Sequence, residues 1–158
     1  MNIKIFPLSL MIIFLTGCET INAPVMTPLE IRSIQTRSFE SDYNVTFRSV
    51  ISVFQDLGYT IKNAELSTGF IQADGAANSN EALKLWLGAT ETTQTKATGF
   101  VEEIGNKVNV RLSFVQSVES STMYGADDRS ETQLLDVGIY QNAFERIENA
   151  IFVRTSTE

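Results

Sequence analysis

Eight residues, Lys107 to Phe114 (KVNVRLSF), constrain the fold more than any other stretch. Val108, Val110, Leu112 and Phe114 fall on one side, and Lys107, Asn109, Arg111 and Ser113 on the other. Such alternation is the pattern of a strand with one buried face. Gly105-Asn106, just before it, supplies a turn, so a partner strand is expected over about Thr95 to Ile104. With a two-residue loop, Ala97, Gly99 and Val101 line the apolar side. These residues are small enough for a helix to pack close to the sheet. The same register sets Glu103 beside Val108, and a longer loop is the alternative.

Two segments have the other period. In SDYNVTFRSVISVFQDLG, Tyr43, Phe47, Val50, Ile51, Phe54 and Leu57 form one helical stripe. Ser41 or Asp42 can cap its start by accepting a backbone N–H, and Gly58 can end it. In TQLLDVGIYQNAFERIENAIFV, Val137, Tyr140, Phe144, Ile147 and Ile151 make a second, longer stripe. Gly138 weakens its first turns by about 1 kcal/mol relative to alanine.

The remaining elements are shorter. Residues 31–40 alternate through Ile34, Thr36 and Ser38 and read as a strand. Tyr59–Ile61 and Phe70–Ala73 flank Ser67-Thr68-Gly69 and read as another hairpin. Residues 75–94 lose any strand pattern, with Asn80 placed to cap a short helix from Glu81 to Leu87. Residues 119–131 read as a polar loop. The order is strand, helix, hairpin, short helix, hairpin, long helix. This predicts an α+β fold, an antiparallel sheet packed on one face by two amphipathic helices.

The amino terminus addresses location. Lys4 precedes an apolar core from Ile5 to Leu15, broken only by Pro7 and Ser9. About 11 residues is a signal-peptide core, short of the roughly 20 that span a bilayer. Leu15-Thr16-Gly17-Cys18 follows, and Cys18 is the sole cysteine of the chain. These four residues resemble the lipobox of bacterial lipoproteins. The resemblance implies cleavage before Cys18, a thioether from Cys18 to diacylglycerol, and acylation of the new amino terminus. Each buried methylene contributes about 0.8 kcal/mol, so three acyl chains hold firmly. Glu19 follows, not the aspartate that often marks inner-membrane retention, so the resemblance implies the outer membrane, periplasmic side. The inner membrane, on its periplasmic face, is the alternative.

The expected organisation is a signal peptide over 1–17, a lipidated cysteine and tether over 18–30, a single domain over 31–153 and a frayed tail over 154–158. Removing 17 of 158 residues leaves 141, one domain plus a tether. With 43% hydrophobic residues, such a chain can bury a core. The formal charge is −7, and a pI near 4.6 argues against nucleic acid, which needs a basic footprint. It also argues against electrostatic docking on anionic lipid.

Catalysis has little to work with. The chain has no histidine, which excludes the common general base and the usual triads and zinc sites. Glu102 and Glu103 are adjacent on a strand and point to opposite faces, wrong for a glycosidase pair. Glu145 and Glu148 lie off the apolar stripe of their helix. Asp127, Asp128 and Glu131 could meet a cation but lack calcium-loop spacing. No catalytic residue, metal or cofactor is therefore expected. Among binding candidates, Leu83, Trp86 and Leu87 form an apolar group in a segment without strand pattern, suited to cover the core or to contact a partner.

Ile34-Gln35-Thr36-Arg37, Gln55-Asp56-Leu57-Gly58-Tyr59, Gly69-Phe70-Ile71 and Ile139-Tyr140-Gln141 with Phe144 and Ile147 resemble a family of uncharacterised proteobacterial lipoproteins. The resemblance covers roughly residues 30–153. The element order is similar to the helix-grip domains of the lipoprotein subunit of the outer-membrane β-barrel assembly machine. In that family the central segment is often longer and rich in glycine and alanine; here it is shorter and carries Trp86. Of the polar residues the resemblance singles out, Gln35, Arg37, Gln55 and Asp56, Arg37 is expected to pair with Asp56 and cap the helix end, with a binding role for the group as the alternative. The function expected is a lipid-anchored envelope protein that binds or scaffolds within a periplasmic or outer-membrane complex. A carrier of an apolar ligand, held between sheet and last helix, is the alternative.

Overall fold

The computed structural model describes residues 26–79, 90–121 and 127–156. Among the described residues, seven antiparallel strands form one sheet, and the two longer helices cover one of its faces. The elements are α1 (Pro28–Gln35), β1 (Thr36–Phe39), α2 (Tyr43–Asp56), β2 (Thr60–Glu65), β3 (Phe70–Asp74), β4 (Asn78–Ser79), β5 (Thr90–Ile104), β6 (Lys107–Ser121), β7 (Asp127–Gln133) and α3 (Val137–Ser156). The sheet order is β1-β6-β5-β3-β2, with β4 beside β5 and β7 beside β6.

The β5–β6 hairpin is the spine. Its loop is the two-residue one, with Ile104 paired to Lys107 and Glu103 to Val108. Glu103 is exposed near the turn, so its place opposite Val108 buries no charge. Ala97 and Val101 on β5 and Val108, Val110, Leu112 and Phe114 on β6 are buried, as the alternation requires. Gly99 explains the close packing of α2. A Cβ there would lie 3.2 Å from Val50 Cγ1 and 3.5 Å from Phe54 Cε2.

The helices follow their stripes. Asp42 is the cap of α2, its carboxylate accepting from the N–H groups of Asn44 and Val45. Phe47, Val50 and Phe54 are buried, joined by Val53. On α3, Tyr140, Phe144, Ile147 and Ile151 are buried, while Val137 is exposed. Tyr140 also resolves a polar problem in the core. Its hydroxyl donates to Leu134 C=O at 2.9 Å and accepts from Gln35 Nε2 at 3.3 Å and Phe114 N–H at 3.4 Å. Phe114 lies on β6 between the stretch paired with β1 (Val108–Arg111) and that paired with β7 (Val115–Ser121). Its backbone therefore needs partners from outside the strands.

The β2–β3 hairpin closes through Gly69. This residue has φ +72°, and its C=O accepts from Val101 N–H at 2.9 Å. A Cβ on Gly69 would sit 1.9 Å from the Val101 carbonyl oxygen. At the free edge of the sheet, β2 carries a register shift between Ile61 and Asn63, with the charged Lys62 at the shift. Both features blunt an edge against pairing with another chain.

Five expectations are corrected. Residues 31–40 are not one strand: α1 runs to Gln35 and only Thr36–Phe39 are extended. The cause is a capping box, in which Thr27 Oγ1 accepts from Glu30 N–H and Glu30 Oε2 accepts from Thr27 N–H at 2.7 Å. The tether expected over 18–30 is accordingly shorter, since the domain begins at this box. Of residues 119–131, expected in a loop, 119–121 end β6 and 127–131 open β7, which runs to Gln133 along the distal half of β6. Of residues 75–94, expected without strands, Asn78–Ser79 form β4 and Thr90 to Gln94 belong to β5. The tail does not fray at 154. The helix reaches Ser156, Arg154 donates to Ser52 Oγ at 2.6 Å, and Thr155 and Ser156 donate back to Ile151 and Phe152 carbonyls. The short helix expected over 81–87 lies outside the described residues.

Candidate functional site

Cross-strand register builds a site on the sheet face that α2 and α3 leave uncovered. Phe70 pairs with Phe100, Phe100 with Arg111, and Arg111 with Thr36. Directly paired residues share a face, so these four side chains form one row across β3, β5, β6 and β1. The next rows hold Thr98 with Ser113 on one side and Glu102 with Asn109 on the other. Both phenylalanines are half-buried, and Arg111 is exposed. The Arg111 guanidinium lies 5.8 Å from the Phe100 ring centroid, within cation–π range.

Helix α1 supplies a wall. Pro28, Ile31, Arg32 and Gln35 recur at helical spacing and line a groove of about 430 Å³ with Phe70, Thr98, Phe100, Arg111 and Ser113. An adjoining hollow of about 370 Å³ is lined by Arg32, Thr36, Phe100, Glu102, Asn109 and Arg111. Arg32, Phe100 and Arg111 are common to both, so the two hollows adjoin.

Two arginines meet on this surface. Every described lysine has a carboxylate partner: Lys62 with Asp74, Lys96 with Glu131 and Lys107 with Glu40. Arg129 has two, Glu119 and Glu131. Hydrogen bonds from Lys96 and then Arg129 hold the Glu131 carboxyl below its ordinary value. Among the described residues, Arg32, Arg37, Arg48, Arg111 and Arg146 have no ion pair to a carboxylate. Arg37 lies over Phe144, Arg146 donates to Asn142, and Arg32 and Arg111 are the two that line this groove.

A second groove, about 460 Å³, lies where α2 ends and α3 begins. Leu57, Tyr59, Phe114, Asp136, Gly138, Ile139 and Asn142 line it. Partial burial pushes the Tyr59 phenol above its ordinary value, so it stays neutral at physiological pH. This groove is a mouth and not a cavity beneath the helices. Behind it, Phe54, Leu112, Phe114 and Ile147 are each no more than 1% exposed.

The residues singled out in the sequence are placed as follows. Cys18, Leu83, Trp86 and Leu87 lie outside the described residues. Glu102 and Glu103 are exposed on opposite faces of β5, and Glu145 and Glu148 are exposed on α3. Asp127, Asp128 and Glu131 fall on β7, with Glu131 engaged by Lys96 and Arg129. Among the described residues, no three His, Cys, Asp or Glu side chains are grouped to hold a metal ion. Arg37 does not pair with Asp56. Its guanidinium lies 5.1 Å from the Phe144 ring centroid, because Arg37 faces the helix layer beside buried Val110. Gln35 is buried against Tyr140, a structural role. Arg32, Phe70, Phe100 and Arg111 were not identifiable as a group. They come from four elements, and only the pairing register assembles them.

Among the described residues, no helix is long and apolar enough to cross a membrane. No family model and no curated protein matches the sequence at a significant level. Among solved structures, the chain is similar to a DUF4468 family protein from Bacteroides ovatus, with 10% identity and a TM-score of 0.38. The likeness covers 73% of this chain and 84% of that chain, and at this TM-score it bears on neither site.

Proposed function

We propose that this protein is a lipid-anchored binding or scaffolding module of the bacterial cell envelope, with no catalysis of its own. The observation that carries this reading is the contrast between a filled interior and an unsatisfied surface. The described sheet–helix interface is packed with side chains, while the outer groove presents two arginines without carboxylate partners beside two half-buried phenylalanines. Specific interfaces are enriched in such aromatic and arginine side chains. Anchoring rests on the lipobox-like Leu15-Thr16-Gly17-Cys18, and the outer membrane on Glu19 in place of aspartate. Leu83, Trp86 and Leu87 stay in this reading as partner contacts proposed from the sequence.

The second reading is a carrier of an apolar ligand. The groove around Tyr59, Phe114 and Ile139 favours it, because it opens between the sheet and the start of α3. Packing behind that groove argues against a fully enclosed ligand there.

The test of anchoring is Cys18→Ala. The variant is expected to lose its lipid, to stay uncleaved and to leave the lipoprotein fraction. A lipid-shifted mass on that variant, together with normal fractionation, overturns the reading. Wild-type protein in inner-membrane fractions of a density gradient overturns the outer-membrane assignment alone.

A further inference from the structure

We infer that the groove between α1 and the outer sheet face binds an extended acidic peptide segment of a partner protein. A carboxylate of that segment engages Arg32 and Arg111, and an apolar side chain next to it packs on Phe70 and Phe100. This rests on the reading of the chain as a binding module and names the partner chemistry.

The charge pattern points to the carboxylate. In a chain of net charge −7, cations are scarce, and the described lysines and Arg129 are matched to acids within the fold. Of the described arginines without an ion pair, Arg37 lies over Phe144 and Arg48 and Arg146 are exposed on the outer sides of their helices, whereas Arg32 and Arg111 converge on one groove. Guanidinium forks fit carboxylates bidentately, and stacking on an aromatic ring leaves their N–H edges free to donate. Arg111 over Phe100 has that arrangement. The overall negative charge does not forbid an acidic ligand, because at physiological salt a charge is felt over only about 8 Å. Within the groove itself, Glu102 is the one acid among the lining residues, and it lies at one end beside Asn109.

The neutral lining points to a peptide. Thr98 and Ser113, directly paired on the groove floor, and Asn109 beyond them offer hydroxyl and amide groups to a ligand backbone. The helix face of Pro28 and Ile31 makes an apolar side wall. An anionic membrane surface is a poorer occupant. Electrostatic lipid recognition uses clusters of about four to eight basic residues, whereas this groove has two and includes Glu102.

The experiment uses the mature full-length protein in neutral detergent and two fluorescein-labelled octapeptides. They are identical except that one contains Glu-Leu-Glu-Phe and the other Gln-Leu-Gln-Phe. Anisotropy titration is expected to show the Glu peptide binding about tenfold tighter, the scale of one good charge-assisted contact. Arg32→Gln and Arg111→Gln should each weaken it about five- to tenfold. Glu102→Gln should tighten it about two- to threefold by removing the opposing charge. All three positions are exposed, so wild-type melting curves are expected and serve as the folding control. Equal affinity for the two peptides, no binding of either, or indifference to the arginine changes overturns the inference. So does arginine-dependent binding to phosphatidylglycerol vesicles without peptide binding, which would put lipid in the groove. In-cell crosslinking separates the two levels. Complexes that survive Arg111→Gln unchanged would overturn the groove assignment and leave the binding-module reading intact. Absence of any complex from the wild type would sink both.

Discussion

Replacing Gly69 by alanine should be the most costly single-methyl change in this domain. Two penalties combine. At φ +72° an L side chain costs about 1–2 kcal/mol, offset in part by the lower entropy of the unfolded alanine chain. The second is steric. The new Cβ would stand 1.9 Å from the Val101 carbonyl oxygen, a distance that only backbone movement can relieve. That movement breaks the bond from Val101 N–H to Gly69 C=O, worth about 1 kcal/mol net, at the join between β3 and β5. The total is about 3 kcal/mol. Gly58 is the control. It has φ +85° but nothing within 4 Å of a built Cβ, so Gly58→Ala should cost about 1 kcal/mol. Urea unfolding followed by circular dichroism measures both. In thermal melts the difference should be on the order of 5–10 °C, at about 3–5 °C per kcal/mol for a domain of this size. If the two variants melt together, the close approach at Gly69 does not exist and the β2–β3 turn is placed wrongly.

Phe144→Ala should cost roughly 3–5 kcal/mol, since the ring is buried against Phe39 and under Arg37, whereas Glu145→Ala on the solvent side should cost under about 0.5 kcal/mol. Similar denaturation midpoints for the two would refute the assigned face of α3. For Glu131 the folded carboxyl lies below its ordinary value of 4.5, so its pairing stabilises the fold above that pH and is lost as pH falls through the lower folded value. Glu131→Gln should therefore melt slightly below the wild type at neutral pH, and the gap should close as the pH falls through the folded value of Glu131; a gap that widens in acid would contradict this.

How legible the fold was depends on where each residue's partners lie. The β5–β6 hairpin and both long helices could be read because local periodicity and burial agree: Val108 to Phe114 alternate and are buried alternately. Helix α1 was also written in the sequence, as Thr27-Pro28-Leu29-Glu30, a capping box with proline at its first helical position. The alternation of Ile34, Thr36 and Ser38 masked it. Strand β7 was not legible. DDRSETQ carries no apolar face, because it extends the sheet past the helix layer, where pairing with β6 and the contact of Glu131 with Lys96 hold it. The distal hairpin explains why. Beyond Ala97 and Phe114 the helix-facing positions become Thr95, Gln116, Thr93 and Val118, three of them polar, so the pattern that signals a core thins where the core stops. The outer groove was illegible for another reason. Its aromatic and cationic members are spread from Arg32 to Arg111, and no spacing rule links them before the register is known.

The hydrogen bond from Gln35 to Tyr140 joins residues 105 positions apart. During synthesis the chain delivers Gln35 long before its partner exists. The hairpin around Gly105-Asn106, by contrast, can zip as soon as both strands have emerged. Closing a longer loop costs little extra free energy, since each doubling of length adds only about 0.6 kcal/mol. The delay is therefore one of availability more than of energy. Helix α1 can form early on its own capping box, but it docks only when α3 arrives; a chain that stops short of residue 140 leaves the Gln35 amide bonded to water and holding nothing in place.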